Sequence, residues 1–242
     1  MHTIEAQDLW KKFDREEVLR GIDLSMEQGE VLGILGPSGA GKTTLVKCLI
    51  GIQRLNKGRV RINGTGIPNL KLMDHIGYMA QQDALYEDLS GMQNLVFYGR
   101  LKGMDKKEAT AQANDLMDMV ELGKDKGKKV VHYSGGMKRR LSLTAALIGD
   151  PEVIILDEPT VGIDPVLREL FWEEFDRLKQ KGRAIIVTTH VMDEADKCDR
   201  LILLRNGNII EDGAPEELKA KTEEGTLEAI FIQSARREGG RS

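Results

Sequence analysis

Cysteine is scarce in this chain, and other things missing beside it narrow the field before any motif is read. Only Cys48 and Cys198 occur among 242 residues. That is too few for the disulfide framework of a small secreted domain, so a reducing cytoplasm is the expected compartment. No run approaches the roughly 18 apolar residues of a membrane-crossing helix. The opening Met1-His2-Thr3-Ile4-Glu5 lacks the basic-then-apolar pattern of a signal peptide. If a membrane matters, another polypeptide is expected to cross it. A basic excess is also missing: the net charge is −4 and the isoelectric point near 5.7, which argues against a dedicated nucleic-acid binder. His2, His75 and His132 have no metal-ligand spacing. There is no repeat of fixed period and no low-complexity tract.

What is present is a folded composition, 40% hydrophobic and 31% charged, enough for a sizeable core. It is organised around the run Gly36-Pro37-Ser38-Gly39-Ala40-Gly41-Lys42-Thr43, followed by Thr44. This matches the phosphate-binding pattern G-x-x-x-x-G-K-[ST]. Its flanks fit: Val31-Leu32-Gly33-Ile34-Leu35 suits a buried strand, and Leu45, Val46, Leu49 and Ile50 recur at helical spacing. The glycines let the backbone curl around a polyphosphate with consecutive N–H groups pointing inward, and the helix adds its positive end. Lys42 is suited to the β- and γ-phosphates, and the Thr43 hydroxyl to Mg²⁺. Binding of a nucleoside triphosphate follows.

Around this loop the first sixty or so residues read as short strands, Thr3 to Leu9, Val18 to Ser25, Val31 to Leu35 and Arg59 to Ile62. From Leu85 to Ile148 the apolar period becomes helical, which predicts a helical insertion over about 85–148. Its methionines, Met92, Met104, Met117, Met119 and Met137, read mostly as adaptable core packing. Two buried-strand patterns, Val153 to Leu156 and Ala184 to Val187, are then separated by an amphipathic helix, predicting a βαβ unit. Asn206-Gly207 between Leu201–Leu204 and Ile209-Ile210 predicts a hairpin. One domain over 1–233 is expected, with a frayed polar tail at 234–242.

Further constellations carry chemistry. Asp157-Glu158 end the apolar run Val153-Ile154-Ile155-Leu156, so in a P-loop fold they emerge at a strand's carboxyl end beside the nucleotide. Asp157 suits Mg²⁺ and Glu158 suits polarising a water aimed at the γ-phosphate. His190 follows the second apolar strand directly. Position alone fits a cap or a satisfied polar residue there. Ser134-Gly135-Gly136, after Tyr133, supplies a helix N-cap with open N–H groups, readable as a second anion cradle or as an ordinary cap.

Taken in order, the phosphate loop, Gln81, Ser134-Gly135-Gly136, Asp157-Glu158, Asp164 and His190 resemble the nucleotide-binding subunit of ABC transporters over nearly the whole chain. The resemblance implies an α/β P-loop NTPase fold with a parallel core sheet, an N-terminal antiparallel β subdomain and a helical insertion. It implies ATP and Mg²⁺ as ligands, and two subunits stacked head to tail so that each serine-glycine-glycine run closes on the other's ATP. By the same resemblance, Phe13 stacks on adenine, where tyrosine is commoner. Gln81 senses Mg²⁺ and the attacking water, although Ala80 replaces a usual proline and the neighbouring Gln82 leaves the register open. Asp164 contacts the opposite subunit and His190 the γ-phosphate. Met137, in place of the commoner glutamine, with Lys138-Arg139-Arg140 after it, resembles the ATPases of ABC-2 type exporters of drugs, antibiotics or lipid-linked molecules. So does the segment Glu228 to Gln233. The expected setting is the cytoplasmic face of a membrane, with a separate permease and a second ATP-binding subunit, in a homodimer, as partners and no nucleic acid. The rivals are a soluble ABC ATPase switching a non-membrane partner, a P-loop small-molecule kinase, and an ATP-gated module without turnover.

Overall fold

A computed structural model describes residues 2–239, and the chain divides into two compact units, Met1–Ile67 with Ile186–Ser242, and Pro68–Ile185.

In the first unit, β1 (Ile4–Phe13) pairs antiparallel with β2 (Glu16–Met26) on one side and β4 (Lys57–Ile62) on the other, and β4 pairs with β5 (Thr65–Ile67). The first strand runs four residues past its expected end because a bulge hides its period. Ile4 and Ala6 are buried before the break and Leu9 and Lys11 after it. Both ladders shift register there. Asp8 sits at the break with φ +51°, held by the Trp10 indole at 2.5 Å and by Lys57 at 2.7 Å. An inserted residue flips the alternation, so a period-2 reading stops at the bulge.

The same unit holds β3 (Val31–Leu35), buried at every position, α1 (Lys42–Leu49), β9 (Arg200–Arg205) and β10 (Asn208–Gly213). With β8 (Ala184–Thr189), whose last four residues belong here, the strand order is β10-β9-β3-β8. β3 and β9 are parallel and β9 and β10 antiparallel. The predicted hairpin turn is present, with Asn206 at φ +46° and Gly207 at φ +75°, the double positive φ of a type I′ turn. Short helices α6 (Met192–Ala195) and α7 (Pro215–Lys219) precede α8 (Leu227–Gly239). α8 therefore takes in most of the segment expected to fray; residues 240–242 lie outside those described. The Arg205 guanidinium donates to Phe231 O at 2.7 Å and Ser234 Oγ at 2.6 Å, tying that helix to the hairpin.

In the second unit β6 (Ile76–Met79) pairs parallel with β7 (Val153–Asp157), and the order is β8-β7-β6. The strand β6 escapes a sequence reading: it is four residues long and contains a glycine. That glycine is required, since a Cβ on Gly77 would lie 2.2 Å from Ala146 O. The helices are α2 (Gly91–Leu101), α3 (Lys106–Met119), α4 (Gly135–Leu147) and α5 (Pro165–Gln180). Capping boxes open α2 at Ser90/Gln93 and α3 at Asp105/Glu108. Leu95, Ala109, Ala113, Met117, Leu141 and Leu143 are fully buried among them. Of the five methionines only Met117 is fully enclosed; the rest are half-buried. Both cysteines are free and buried, and burial pushes the Cys48 thiol up to about 11 and Cys198 higher still, so neither is a reactive thiolate at neutral pH.

Candidate nucleotide site

The expected site residues fall in both units. The first unit carries Phe13, the phosphate loop and His190; the second carries Gln81, Ser134-Gly135-Gly136, Asp157, Glu158 and Asp164.

The loop between β3 and α1 has the backbone that an anion cradle needs. Gly39 and Gly41 take φ of +81° and +106°, open to glycine at little cost. Gly36 has no room for a side chain, because a Cβ would lie 2.3 Å from Leu204 O. Pro37, Ser38 and Gly39 are exposed, while Thr43 and Thr44 are half-buried in the first turn of α1. The Lys42 side chain is buried and folds back over its own loop, its ammonium donating to Gly36 O at 2.7 Å and Pro37 O at 3.2 Å. A cation held among carbonyls at the mouth of a ring of N–H groups is placed to exchange those carbonyls for phosphate oxygens.

Phe13 ends β1, is 44% exposed and has the Lys11 ammonium 4.5 Å from its ring centroid. An exposed aromatic face beside a cation suits a base over a polyphosphate. His190 is exposed just past β8. Its neighbours are braced: Thr189 Oγ1 donates to the buried Glu194 at 2.7 Å and accepts from Val191 N at 3.0 Å. A cavity of about 580 Å³, lined by Gly36, Pro37, His190, Met192, Phe231 and Ile232 among others, opens beside this histidine.

In the second unit Asp157 is fully buried at the end of β7 and Glu158 follows it at φ +52°. A left-handed glutamate is uncommon, and such strain concentrates where a side chain must be aimed. Its carboxylate accepts from the Gln81 amide at 3.4 Å. Gln82 instead lines a separate cavity of about 180 Å³ with Tyr78, Leu85, Tyr98, Lys102 and Ser142, so Gln81 is the member of the pair that reaches the acid. Within this unit Asp157 and Gln81 offer a carboxylate and an amide oxygen, hard donors of the kind Mg²⁺ takes.

Ser134 caps α4 by accepting from Met137 N at 3.2 Å. A Cβ on Gly135 would meet nothing within 4 Å, and one on Gly136 only Gly162 O at 3.8 Å. Packing within the chain therefore does not demand these glycines, and they leave backbone N–H groups uncovered on the outside. Asp164 caps α5, accepting from Val166 N and Leu167 N, each at 3.1 Å.

One residue at this site was not singled out by sequence reasoning. Arg139 enters the sequence reading only within the Lys138-Arg139-Arg140 run that accompanies Met137, yet it is 6% exposed. Its guanidinium donates to Asp157 O at 2.7 Å, Glu158 O at 2.5 Å, Pro159 O at 3.1 Å, Ala80 O at 2.9 Å and Gln81 O at 3.0 Å. Asp83 lies 3.5 Å away. Burial lowers its pKa, and the nearby charges of Asp83, Asp157 and Glu158 pull the other way. No local sequence signal marks it, because all these partners are 18 or more residues distant.

The ABC transporter family model matches residues 19–161, which span the phosphate loop, Gln81, the serine-glycine-glycine run and the acid pair. Nod factor export ATP-binding protein I of Burkholderia lata is 39% identical over 218 residues, covering 89% of this chain and 72% of that protein. Daunorubicin resistance ATP-binding protein DrrA3 of Streptomyces coeruleorubidus is 39% identical over 228 residues, 93% of this chain and 72% of that one. Among solved structures, the ATP-binding subunit of an ABC transporter superposes with a TM-score of 0.87 at 25% identity, over 96% of this chain and 98% of that one. A dimeric ATP-binding cassette in a post-hydrolysis state, bound to ADP and Pi, gives 0.82 at 25% identity, over 87% and 98%. The chain belongs to the ABC transporter family, as one of its ATP-binding and ATP-hydrolysing cassettes.

Proposed function

We propose that this cassette dimerises on ATP, hydrolyses it and drives outward transport through a separate membrane permease, as an ABC-2 type exporter subunit peripheral to the cytoplasmic face. The observation that carries this reading is the Ser134-Gly135-Gly136 turn, exposed at Ser134 and Gly135 and half-buried at Gly136, where no packing inside the chain requires the two glycines. A second copy's γ-phosphate is the partner such a turn fits. Support for a transporting role comes from the two relatives named for export and drug resistance. Among the described residues no helix is long and apolar enough to cross a membrane.

Each residue then has a task. Phe13 stacks on adenine, Gly36 to Thr44 bind the phosphates, and Lys42 moves from its loop carbonyls to the β- and γ-phosphates. Thr43, Asp157 and Gln81 would hold Mg²⁺, which supplies charge neutralisation on the phosphate oxygens. Glu158 takes a proton from the attacking water, Gln81 orients that water, and His190 donates to the γ-phosphate. Ser134, Gly135 and Gly136 cap the γ-phosphate across the dimer, and Asp164 touches the opposite subunit. ATP bridges the closed dimer, and departure of the cleaved products removes that bridge, so turnover shifts the population to the open form. The aromatic cluster of Tyr86, Phe97 and Tyr98, with ring centroids 4.9 to 6.3 Å apart, is the surface offered to a permease helix. Tyr86 is half exposed there.

The test is size-exclusion chromatography with ATP on Glu158→Gln, beside hydrolysis rates for the unmodified chain and Lys42→Ala. An ATP-dependent dimer of the first, with hydrolysis lost in both by about 10²-fold or more, is the expected result. A monomer that hydrolyses ATP regardless rules out the shared-site engine.

A further inference from the structure

The Lys138-Arg139-Arg140 run is read above only as a family marker, yet the structure gives its middle member a distinct place. Arg139 stands in the second turn of α4, five residues after the cap Ser134. Its five donor contacts go to two separate stretches of backbone. Nη1 holds Ala80 O and Gln81 O; Nη2 and Nε hold Asp157 O, Glu158 O and Pro159 O. A planar guanidinium is the one side chain that can bind two strand ends at once in fixed geometry. Asp83 fixes the fork from behind at 3.5 Å and is itself fixed by the Ser142 hydroxyl, 2.7 Å away and one turn further along α4.

We propose that Arg139 is a positioning residue that couples the two ATP sites of the dimer: it transmits the position of the α4 N-terminus to Gln81 and Glu158 of the same chain. This rests on the reading above, in which Ser134-Gly135-Gly136 closes on ATP held by the other subunit. When that turn engages the other subunit's γ-phosphate, α4 is held in one position. Arg139 moves with α4 as a rigid body, so the carbonyls of Gln81 and Glu158 are set by whether the opposite site is filled. The side-chain contact between Gln81 and Glu158, at 3.4 Å, then tightens or loosens with both ends moved together. ATP at one site thereby arms the acid at the other, and hydrolysis is cooperative without any contact between the two nucleotides.

Lysine at this position keeps the charge and loses the fork. In Arg139→Lys, binding of a fluorescent ATP analogue and the KM for ATP should stay within about twofold. The kcat should fall at least about tenfold, since small misplacements of catalytic groups carry losses of that order or larger. The Hill coefficient, which the coupling requires to exceed 1 in the unmodified protein, should drop to about 1. Asp83→Asn, which leaves all five backbone contacts available and only loosens the fork, should give an intermediate kcat and Hill coefficient, and keeps the test decisive if Arg139→Lys does not fold. A purely structural role predicts instead a lower melting temperature with an unchanged Hill coefficient, and that result overturns the coupling. So does an unmodified protein that is not cooperative. Glu158→Gln run in parallel separates the two levels. If it hydrolyses ATP normally, the assignment of Glu158 is at fault. If it is inactive while Arg139→Lys and Asp83→Asn behave as the unmodified chain, the relay fails and the ATPase reading stands.

Discussion

Lys102 shows how one side chain can work against the fold that contains it. Its stem lies against Gly149, where an added Cβ would come within 2.7 Å of the lysine Cδ, and its ammonium donates to Ile76 O at 3.3 Å. Burial pushes the ammonium down to about 8 from an ordinary 10.5, although Asp74 pulls it up. Below pH 8 both folded and unfolded chains carry the proton, and the fold bears the full cost of a poorly hydrated charge. Between about 8 and 10.5 the unfolded chain binds more protons than the native one, so stability rises with pH through that window. Lys102→Met keeps the stem and removes the charge. Allowing for partial solvent screening and the lost hydrogen bond, it should stabilise the protein by about 1–2 kcal/mol at pH 7. The advantage should shrink towards zero as pH approaches 10. Urea unfolding at the two pH values checks this, and a pH-independent difference would refute it.

At the scale of elements, local chemistry and long-range packing divide what a sequence reveals. The loop from Gly36 to Thr43, the Asn206-Gly207 turn and the Ser134 cap are legible because each is made by neighbours a few residues apart. The strand β6 is not, since Ile76 to Met79 form a strand by pairing with Val153 to Leu156, about 77 residues on. The continuation of β1 to Phe13 is hidden by the Asp8 bulge, and the task of Arg139 by distances no window spans. Asp164 lies between: resemblance marks it as an interface residue, while the structure adds that its carboxylate caps α5 just before Pro165 at the first helical position. The two roles can be separated. Asp164→Ala should lose about 1 kcal/mol of stability with the cap, read as a lower melting temperature without nucleotide. Asp164→Asn keeps a capping oxygen and should melt like the unmodified chain, yet weaken ATP-dependent dimerisation in the Glu158→Gln background. If Asn and Ala behave alike in both assays, the carboxylate has no role beyond the cap.

For the whole molecule, the surface around that cap bears on how two copies meet. Val161 is 49% exposed and Val166 72% exposed, one on each side of Asp164, and Gly162 between them at φ +78° has nothing within 4 Å of an added Cβ. Two exposed valines alone would be unremarkable. Set beside a backbone stripped of side chains and the Asp164 cap of α5, they form a small apolar rim that ATP-driven dimerisation should cover. Since each copy carries a net charge of −4, long-range electrostatics oppose the encounter. Val166→Lys lowers that charge to −3 and so favours encounter, yet it places an ammonium where the rim closes. The two effects have opposite signs, which makes the substitution decisive. A surface change of this kind should alter folding stability by less than about 0.5 kcal/mol, and ATP binding by the monomer should be unaffected. Hydrolysis that requires two cassettes must rise in specific activity with protein concentration. In Val166→Lys that rise should move to about tenfold higher concentration, the shift of a lost contact worth about 1.4 kcal/mol. A shift to lower concentration would mean that net charge rather than the rim governs association, and would take Val166 out of the interface.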